Sequence, residues 1–189
     1  MNLPGSSQLA AGKRFLERFP WPSFSPHPEW IAWLPVASTV PELGSWIWYP
    51  EGDAKQDAPV APRFFRRIVD VATDRPVRRA RLRFAADDRS TAWLNGREIG
   101  SGSSCKAPET VDITAFLHPG RNVLAIRAEN MPAPVEKNPA GLIAGLEIEY
   151  RDGPPQSIGT DARWLVSRDE SPGWRDADFE PAGWPSAAT

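Results

Sequence analysis

Two adjacent acidic residues, Asp87 and Asp88, are the side chains in this sequence whose type and spacing best suit ion binding. Calcium takes six to eight oxygen ligands from carboxylates, amides and backbone carbonyls. Neighbouring residues of a regular strand point to opposite faces, so both carboxylates can reach one ion only where the strand has already ended. The Arg89-Ser90 that follows is compatible with such an ending. The pair predicts an oxygen-ligand site, with the alternative that Asp88 only caps a turn.

The other reactive side chains do not form a catalytic set. His27 lies in a proline-rich segment and His118 in a turn, and neither stands beside a nucleophile motif. Cys105 is followed by Lys106, whose charge could lower the pKa of the thiol. One cysteine and two distant histidines do not make a zinc site. Since no pair of carboxylates is marked out to face a substrate, the sequence predicts that this chain by itself is not an enzyme.

The elements that must position these residues follow the two-residue period of β-strands. Apolar residues alternate with arginines over 79–86, and a second apolar set recurs at every other position, namely Leu142, Ala144, Leu146, Ile148 and Tyr150; both patterns predict strands with one buried face. Asn95-Gly96 has the composition of a two-residue hairpin turn. The sequence therefore predicts an all-β, antiparallel fold. Trp93, in the strand before that turn, points either into the core or outward to a ligand.

Length and composition are those of a globular chain. Its 189 residues are 41% hydrophobic and carry a net charge of −2, which gives no electrostatic reason to expect nucleic acid or an anionic membrane as a partner. No apolar run is long enough to cross a bilayer, and the first residues lack the pattern of an export signal. Residues 1–44 are predicted to form a proline- and aromatic-rich, partly helical arm. Residues 45–189 are predicted to form the β-sandwich.

Seven segments, in this order along the chain, carry a resemblance to a known family. They are SWIWYPEGD, RFFRRIVDV, ADDRSTAWLNGREIGSG, VDITAFLHPGRNVLAIRAEN, AGLIAGLEIEYRDG, TDARWLVS and GWRDADFEPAGW. Together they resemble the galactose-binding-like (jelly-roll) domains of bacterial glycosidases. The likeness is to the N-terminal domain of α-L-rhamnosidases and to carbohydrate-binding module family 67. It covers Ser45 to about Ala187 and implies a jelly-roll β-sandwich.

The resemblance also implies a ligand site. Its calcium ligands, carried over to this sequence, would be Asp87, Asp88, Asn130 and Pro134. Its sugar contacts would be Asp87, Asp88, Trp93, Asn130 and Asn138. The sequence departs from the family in one loop, GSGSSCKAPET, where the related modules present a tryptophan to the sugar and this chain has no aromatic residue.

The nine tryptophans suit either core packing or sugar stacking. Five of them match core or closing positions of the family, namely Trp46, Trp48, Trp164, Trp174 and Trp184. Most of these five are expected to be packing residues. In the resembling modules a stacking aromatic matters, because an aromatic platform contributes about 1–3 kcal/mol per stacked ring, by analogy with nucleobases.

These observations favour a non-catalytic carbohydrate-binding accessory module of a secreted or periplasmic glycoside hydrolase, with calcium assisting recognition of L-rhamnose or a similar terminal sugar. Its partners would be a plant or bacterial polysaccharide and a covalently linked catalytic domain. A second hypothesis is a purely structural sandwich that packs against such a catalytic domain. A third makes the chain part of the catalytic unit, lending a residue to a neighbouring cleft.

Overall fold

The computed structural model describes residues 40–133 and 136–189. The predicted arm therefore lies outside the described residues up to position 39, and so does Pro134. The described strands are β1 Pro62–Val71, β2 Val77–Asp87, β3 Arg89–Leu94, β4 Arg97–Gly102, β5 Glu109–Asp112, β6 Gly120–Glu129, β7 Gly141–Tyr150, β8 Gln156–Gly159 and β9 Leu165–Ser167. A single 3-10 turn, Thr114–Phe116, precedes β6 within this part of the chain.

The strands form two antiparallel sheets. One has five strands in the order β4-β3-β6-β1-β9, and the other has four in the order β5-β2-β7-β8. Their facing sides share one apolar core, to which β2 contributes alternate residues from Ala80 to Ala86 and β7 alternate residues from Leu142 to Tyr150. This confirms the prediction of an all-β sandwich. None of the described helical segments is long and apolar enough to cross a membrane.

The hairpin between β3 and β4 turns at the predicted residues. Asn95 and Gly96 have φ values of 51° and 80°, which a two-residue turn of this kind requires at both centres. Asn95 also ties the turn to β6, because Val123 N donates to its Oδ1 at 2.9 Å and its Nδ2 donates to Asn122 Oδ1 at 2.9 Å. The turn chemistry thus fixes the register of β3 on its neighbours.

One arginine of the alternating β2 strand differs from the expectation of a solvated face. Arg81 is only 6% exposed. Its Nη2 lies 3.7 Å from Glu147 Oε1 and 3.8 Å from Glu149 Oε1. Arg81 and Glu147 are register partners on β2 and β7, so the ion pairs follow directly from the strand pairing. A cross-strand charge pair of this kind lets an arginine lie in a largely covered position.

A second aromatic cluster covers the outer side of the five-stranded sheet. Its buried members are Phe64, Trp93, Ala125 and Trp174, with Phe179 and Trp184 packed against them. Arg66, which is 1% exposed, holds the C-terminal segment of this cluster against the five-stranded sheet by hydrogen bonds. Its Nη1 donates to the carbonyls of Trp174 at 3.0 Å and Asp176 at 2.9 Å, and its Nη2 donates to the carbonyl of Phe179 at 2.9 Å.

Candidate functional site

The acidic pair lies at a corner where the chain passes from one sheet to the other. β2 ends at Asp87 and β3 begins at Arg89, and the Asp87-Asp88 peptide bond is cis. Asp88 N donates to Glu129 O at 2.9 Å. Met131 N donates to Asp88 Oδ2 at 2.7 Å. The strand therefore ends at the pair, as the ion-binding hypothesis requires, and Asp88 is joined to the start of the loop that follows β6.

The two candidate asparagines meet at the loop that precedes β1. Asn130 Nδ2 donates to the carbonyls of Ala58 at 3.0 Å and Pro59 at 3.1 Å. Asn138 Nδ2 lies 3.5 Å from the same Ala58 carbonyl, and Ala58 N donates to Asn138 O at 2.8 Å. The structure thus brings Asp87, Asp88, Asn130 and Asn138 to one edge of the sandwich, which we call the acid–amide rim.

The side-chain oxygen of Asn130, at the acid–amide rim, accepts no hydrogen bond. The residue is 1% exposed, and its Oδ1 is buried without a hydrogen-bond partner. Leaving a buried acceptor unpaired costs about 1–3 kcal/mol. Hard cations accept amide oxygens as well as carboxylates, so Asn130 Oδ1 is a candidate ligand at this edge.

Burial and an acidic neighbour determine the electrostatics of Asp87. Burial raises the pKa of Asp87 above its ordinary value, and the charge of the neighbouring Asp88 raises it further. The Cys105 thiol and the charge of Lys106 oppose this rise. Two acids crowded in this way are relieved by a shared proton or by a cation.

Calcium fits these residues, although they do not form a site made of acids alone. The part of the chain that the structure describes has no group of three or more His, Cys, Asp or Glu side chains placed to hold a metal. A cation at the acid–amide rim would therefore need the Asn130 amide oxygen and backbone carbonyls beside the two carboxylates. Calcium accepts such mixed oxygen ligands, and the unpaired Asn130 Oδ1 is one of them.

The environment of Cys105 differs from the sequence-based expectation. Burial raises the pKa of the thiol, the Asp87 charge raises it further, and Lys106 opposes these effects only weakly. The thiol is therefore protonated at neutral pH. A protonated thiol is a poor nucleophile, so Cys105 contributes to the site only as one of the residues that line it.

Asp87 and Cys105 line an open groove of about 360 Å³ on the outer side of the four-stranded sheet. The other lining residues are Trp46, Ala54, Lys55, Pro139, Ala140 and Gly141. Trp46, expected among the packing residues, is instead 44% exposed. No local pattern distinguishes it from Trp48, two residues on and 2% exposed. Only the three-dimensional arrangement places Trp46 beside Asp87, in what we call the Trp46 groove.

Trp93 lies in the second aromatic cluster and not in the Trp46 groove. It is 8% exposed, its ring meets Trp174 edge-on at 5.8 Å, and the Arg175 guanidinium stands 4.6 Å over it. Trp93 is therefore a packing residue, but it lies on the outer side of the five-stranded sheet and not in the core between the sheets. A sugar contact by Trp93 stays a prediction that these contacts do not favour, because its ring presents little surface to solvent.

The two histidines are the remaining reactive candidates, and the contacts of His118 are those of a turn residue. The Asn122 side chain accepts from His118 N at 2.9 Å and donates to His118 O at 2.6 Å, which fixes the turn before β6. His27 lies outside the described residues. The site is therefore defined by the acid–amide rim and the adjoining Trp46 groove.

The two sheets and the groove at their edge define a jelly-roll β-sandwich with a concave, ligand-sized site. No protein-family model matches the chain. The α-L-rhamnosidase of Streptomyces avermitilis is 34% identical over 169 residues, which cover 84% of this chain and 16% of that protein. Its crystal structure, complexed with L-rhamnose, matches with a TM-score of 0.67 over 76% of this chain and 14% of that one.

A lectin has the same fold. The Pleurotus ostreatus lectin in complex with GalNAc matches with a TM-score of 0.70 at 27% identity, over 79% of this chain and 44% of the lectin. These comparisons confirm the resemblance to the α-L-rhamnosidase N-terminal domain, and they add a lectin of the same fold. This chain thus resembles one domain of a glycoside hydrolase, and it spans about a sixth of the length of the curated rhamnosidase that it matches.

Proposed function

We propose that this chain is a non-catalytic carbohydrate-binding module of a larger glycoside hydrolase, and that it holds a terminal sugar at the acid–amide rim. The observation that carries the proposal is that Asp87, Asp88, Asn130 and Asn138 meet at one edge, beside an open groove. The solved relatives that share the fold include a rhamnosidase complexed with L-rhamnose and a lectin in complex with GalNAc. L-Rhamnose or a similar sugar is the ligand that these similarities favour.

The spacing of the acids supports a non-catalytic role. Glycosidases hold their two catalytic carboxyl groups about 5–9.5 Å apart so that the glycosidic bond fits between them. Asp87 and Asp88 are instead neighbours in sequence at the end of β2, and Asp87 is the only carboxylate among the described residues that line the Trp46 groove. Such a pair is suited to binding a cation or sugar hydroxyls.

Calcium is the cation that we propose for the acid–amide rim. Asp87, Asp88 and the Asn130 amide oxygen would hold it, with the Pro134 carbonyl completing the set that the family resemblance implies. When bound, calcium supplies a positive centre to which sugar hydroxyls can coordinate. The chain's own residues would orient the sugar, and Asn130 Oδ1, which has no hydrogen-bond partner, would gain one.

The alternative of a purely structural module predicts a large apolar contact surface for the catalytic domain. Among the described residues, the exposed large hydrophobic side chains are Val40, Trp46 and Val60. Three such residues do not make a continuous apolar face, so the described surface favours ligand binding over packing. A parent enzyme that acts outside the cell would present this module to polysaccharide.

Calorimetric titration tests the proposal. L-Rhamnose, N-acetylgalactosamine and glucuronic acid are titrated into the chain, with calcium and again with a chelator. Binding that needs calcium, and that Asp87→Asn abolishes, supports the proposal. Asp74→Asn changes an exposed acid in the turn before β2 and serves as the matched control. No binding heat with any of the sugars, in either condition, would refute the proposed function.

A further inference from the structure

We propose that Trp46 is the stacking platform of the sugar site. The inference deepens the proposed function and rests on it. The proposal also gives the orientation of the sugar. The apolar C–H face of a pyranose ring lies on the Trp46 indole, and the hydroxyl edge of the ring faces Asp87.

Trp46 differs from the other tryptophans of the sandwich in its exposure. Trp48, Trp164 and Trp174 are 2%, 1% and 1% exposed, whereas Trp46 is 44% exposed. A large aromatic side chain gains stability mainly by removing its apolar surface from water. Nearly half of the Trp46 side chain stays in water in the free protein. A sugar ring stacked on the indole would remove part of this apolar surface from water.

The backbone around Trp46 is fixed on both sides. Ser45 N donates to Thr160 O at 2.8 Å, and Ile47 exchanges two 2.9 Å hydrogen bonds with Leu142. These bonds attach the segment to the four-stranded sheet. The indole is thereby presented from a rigid element, which lowers the entropy lost on binding a ligand.

Gly141 makes room for the ring. A Cβ atom at this position would lie 2.6 Å from Trp46 Cε3 and 3.3 Å from Cζ3, which is closer than such atoms approach. Gly141 is the register partner of Asp87 on the neighbouring strand. The missing side chain therefore lets the indole lie against β7, one strand away from the carboxylate that we assign to the sugar hydroxyls.

The walls of the Trp46 groove match the two-sided chemistry of a pyranose. Pro139 and Ala140 extend the apolar surface beside the indole, while Asp87 offers an acceptor and Lys55 a donor. Concave sites of this composition, mostly apolar with a few polar groups, are typical of small-ligand sites. Cys105, from the loop between β4 and β5, lines the same groove.

Three variants test the role of Trp46. Trp46→Ala removes the platform, Trp46→Phe keeps a smaller one, and Gly141→Ala displaces the indole without removing it. Val60→Ala, at another exposed apolar residue, is the matched control. Far-ultraviolet circular dichroism and thermal unfolding establish that each variant is folded before L-rhamnose and N-acetylgalactosamine are titrated in the presence of calcium.

We expect Trp46→Ala to weaken sugar binding about tenfold or more, in line with the loss of one stacking contact. Trp46→Phe should retain part of the affinity, Gly141→Ala should lose much of it, and Val60→Ala should bind as the wild type does. Bound sugar should also shift the tryptophan emission of the wild type to shorter wavelength and slow alkylation of Cys105. Neither change should occur in Trp46→Ala at the same sugar concentration.

The outcomes separate the two proposals. Wild-type binding with full affinity retained in folded Trp46→Ala would overturn the platform while leaving the proposed function intact. A wild type that binds none of L-rhamnose, N-acetylgalactosamine and glucuronic acid overturns both.

Discussion

The Asp88 carboxylate accepts a hydrogen bond from Met131 N at 2.7 Å, and this contact joins the corner between β2 and β3 to the loop after β6. The two residues are 43 positions apart in sequence. The bond is charge-assisted and partly buried, which places it among the stronger hydrogen bonds of a protein. It holds together the two segments that supply the acid–amide rim.

Asp88→Ala should therefore lower the free energy of unfolding by about 1–3 kcal/mol, because it removes the acceptor and leaves a partly buried N–H without a partner. Urea unfolding measures the change. Asp74→Ala, at an exposed acid, should change stability by less than about 0.5 kcal/mol. Equal effects of the two substitutions would show that the Asp88–Met131 bond does not stabilise the fold.

Arg66 is expected to be a main attachment of the C-terminal segment, since it donates to three of that segment's carbonyls. Arg66→Ala should cost about 3 kcal/mol or more, given about 1.5–3 kcal/mol for a hydrogen bond to a charged group. Limited proteolysis should then cut the chain after Ser167 much faster than in the wild type. Arg151→Ala, at an exposed arginine, is the control, and unchanged proteolysis of Arg66→Ala would contradict the expectation.

Two glycines of β7 should respond differently to the same substitution. A Cβ at Gly145 would collide with the backbone carbonyl of Glu42, whereas at Gly141 it would meet the partly exposed side chain of Trp46. Backbone cannot move aside as an exposed ring can, so Gly145→Ala should cost about 1–3 kcal/mol and Gly141→Ala less. Thermal unfolding of the two variants gives the comparison, and the reverse order would argue against this placement of the segment around Glu42.

Asp112 gives a pH-dependent contribution to stability. Hydrogen bonds from the Thr114 side chain and backbone lower the pKa of Asp112 below its ordinary value. An acid with a depressed folded-state pKa stabilises the fold above its unfolded pKa, near about 3.9, and this stabilisation is lost as pH falls through the folded pKa. The side chain is 58% exposed, so the contribution should stay within about 1 kcal/mol.

Asp112→Asn should accordingly lower the thermal midpoint at pH 7, and the difference from the wild type should shrink progressively below about pH 4. Thermal unfolding followed across that pH range is the measurement. A difference that is unchanged at low pH would mean that the charge of Asp112 is not responsible. Asp152→Asn, at an exposed turn acid, controls for the general effect of removing one negative charge.

Calcium should raise the thermal midpoint if it binds the folded acid–amide rim. At a free concentration one hundred times its dissociation constant, a ligand that binds only the folded state adds about 2.7 kcal/mol of stability. Asp87→Asn should lose this gain, whereas Asp74→Asn should keep it. Differential scanning fluorimetry with calcium, magnesium and chelator checks the expectation, and an unchanged wild-type midpoint with calcium would count against the cation site.

Local sequence determined the strands and turns of this protein. The two-residue alternation over 79–86 and 142–150 appears as β2 and β7, and Asn95-Gly96 turns where its composition predicts. These features depend on side-chain period and on backbone dihedral preferences, both of which are properties of short segments. The resemblance added the residues of the acid–amide rim, which the fold brings to one edge. Their role in holding calcium and sugar stays a prediction.

Tertiary structure alone decided which side chains face water and which charges act on each other. Trp46 and Trp48 have the same type and nearly the same place in the sequence, yet one lines a groove and the other lies in the core. The Cys105 thiol faces Asp87, so its pKa rises where the adjacent Lys106 in the sequence favoured a fall. Burial and electrostatic environment are sums over neighbours that are distant in the chain, and no short segment contains them.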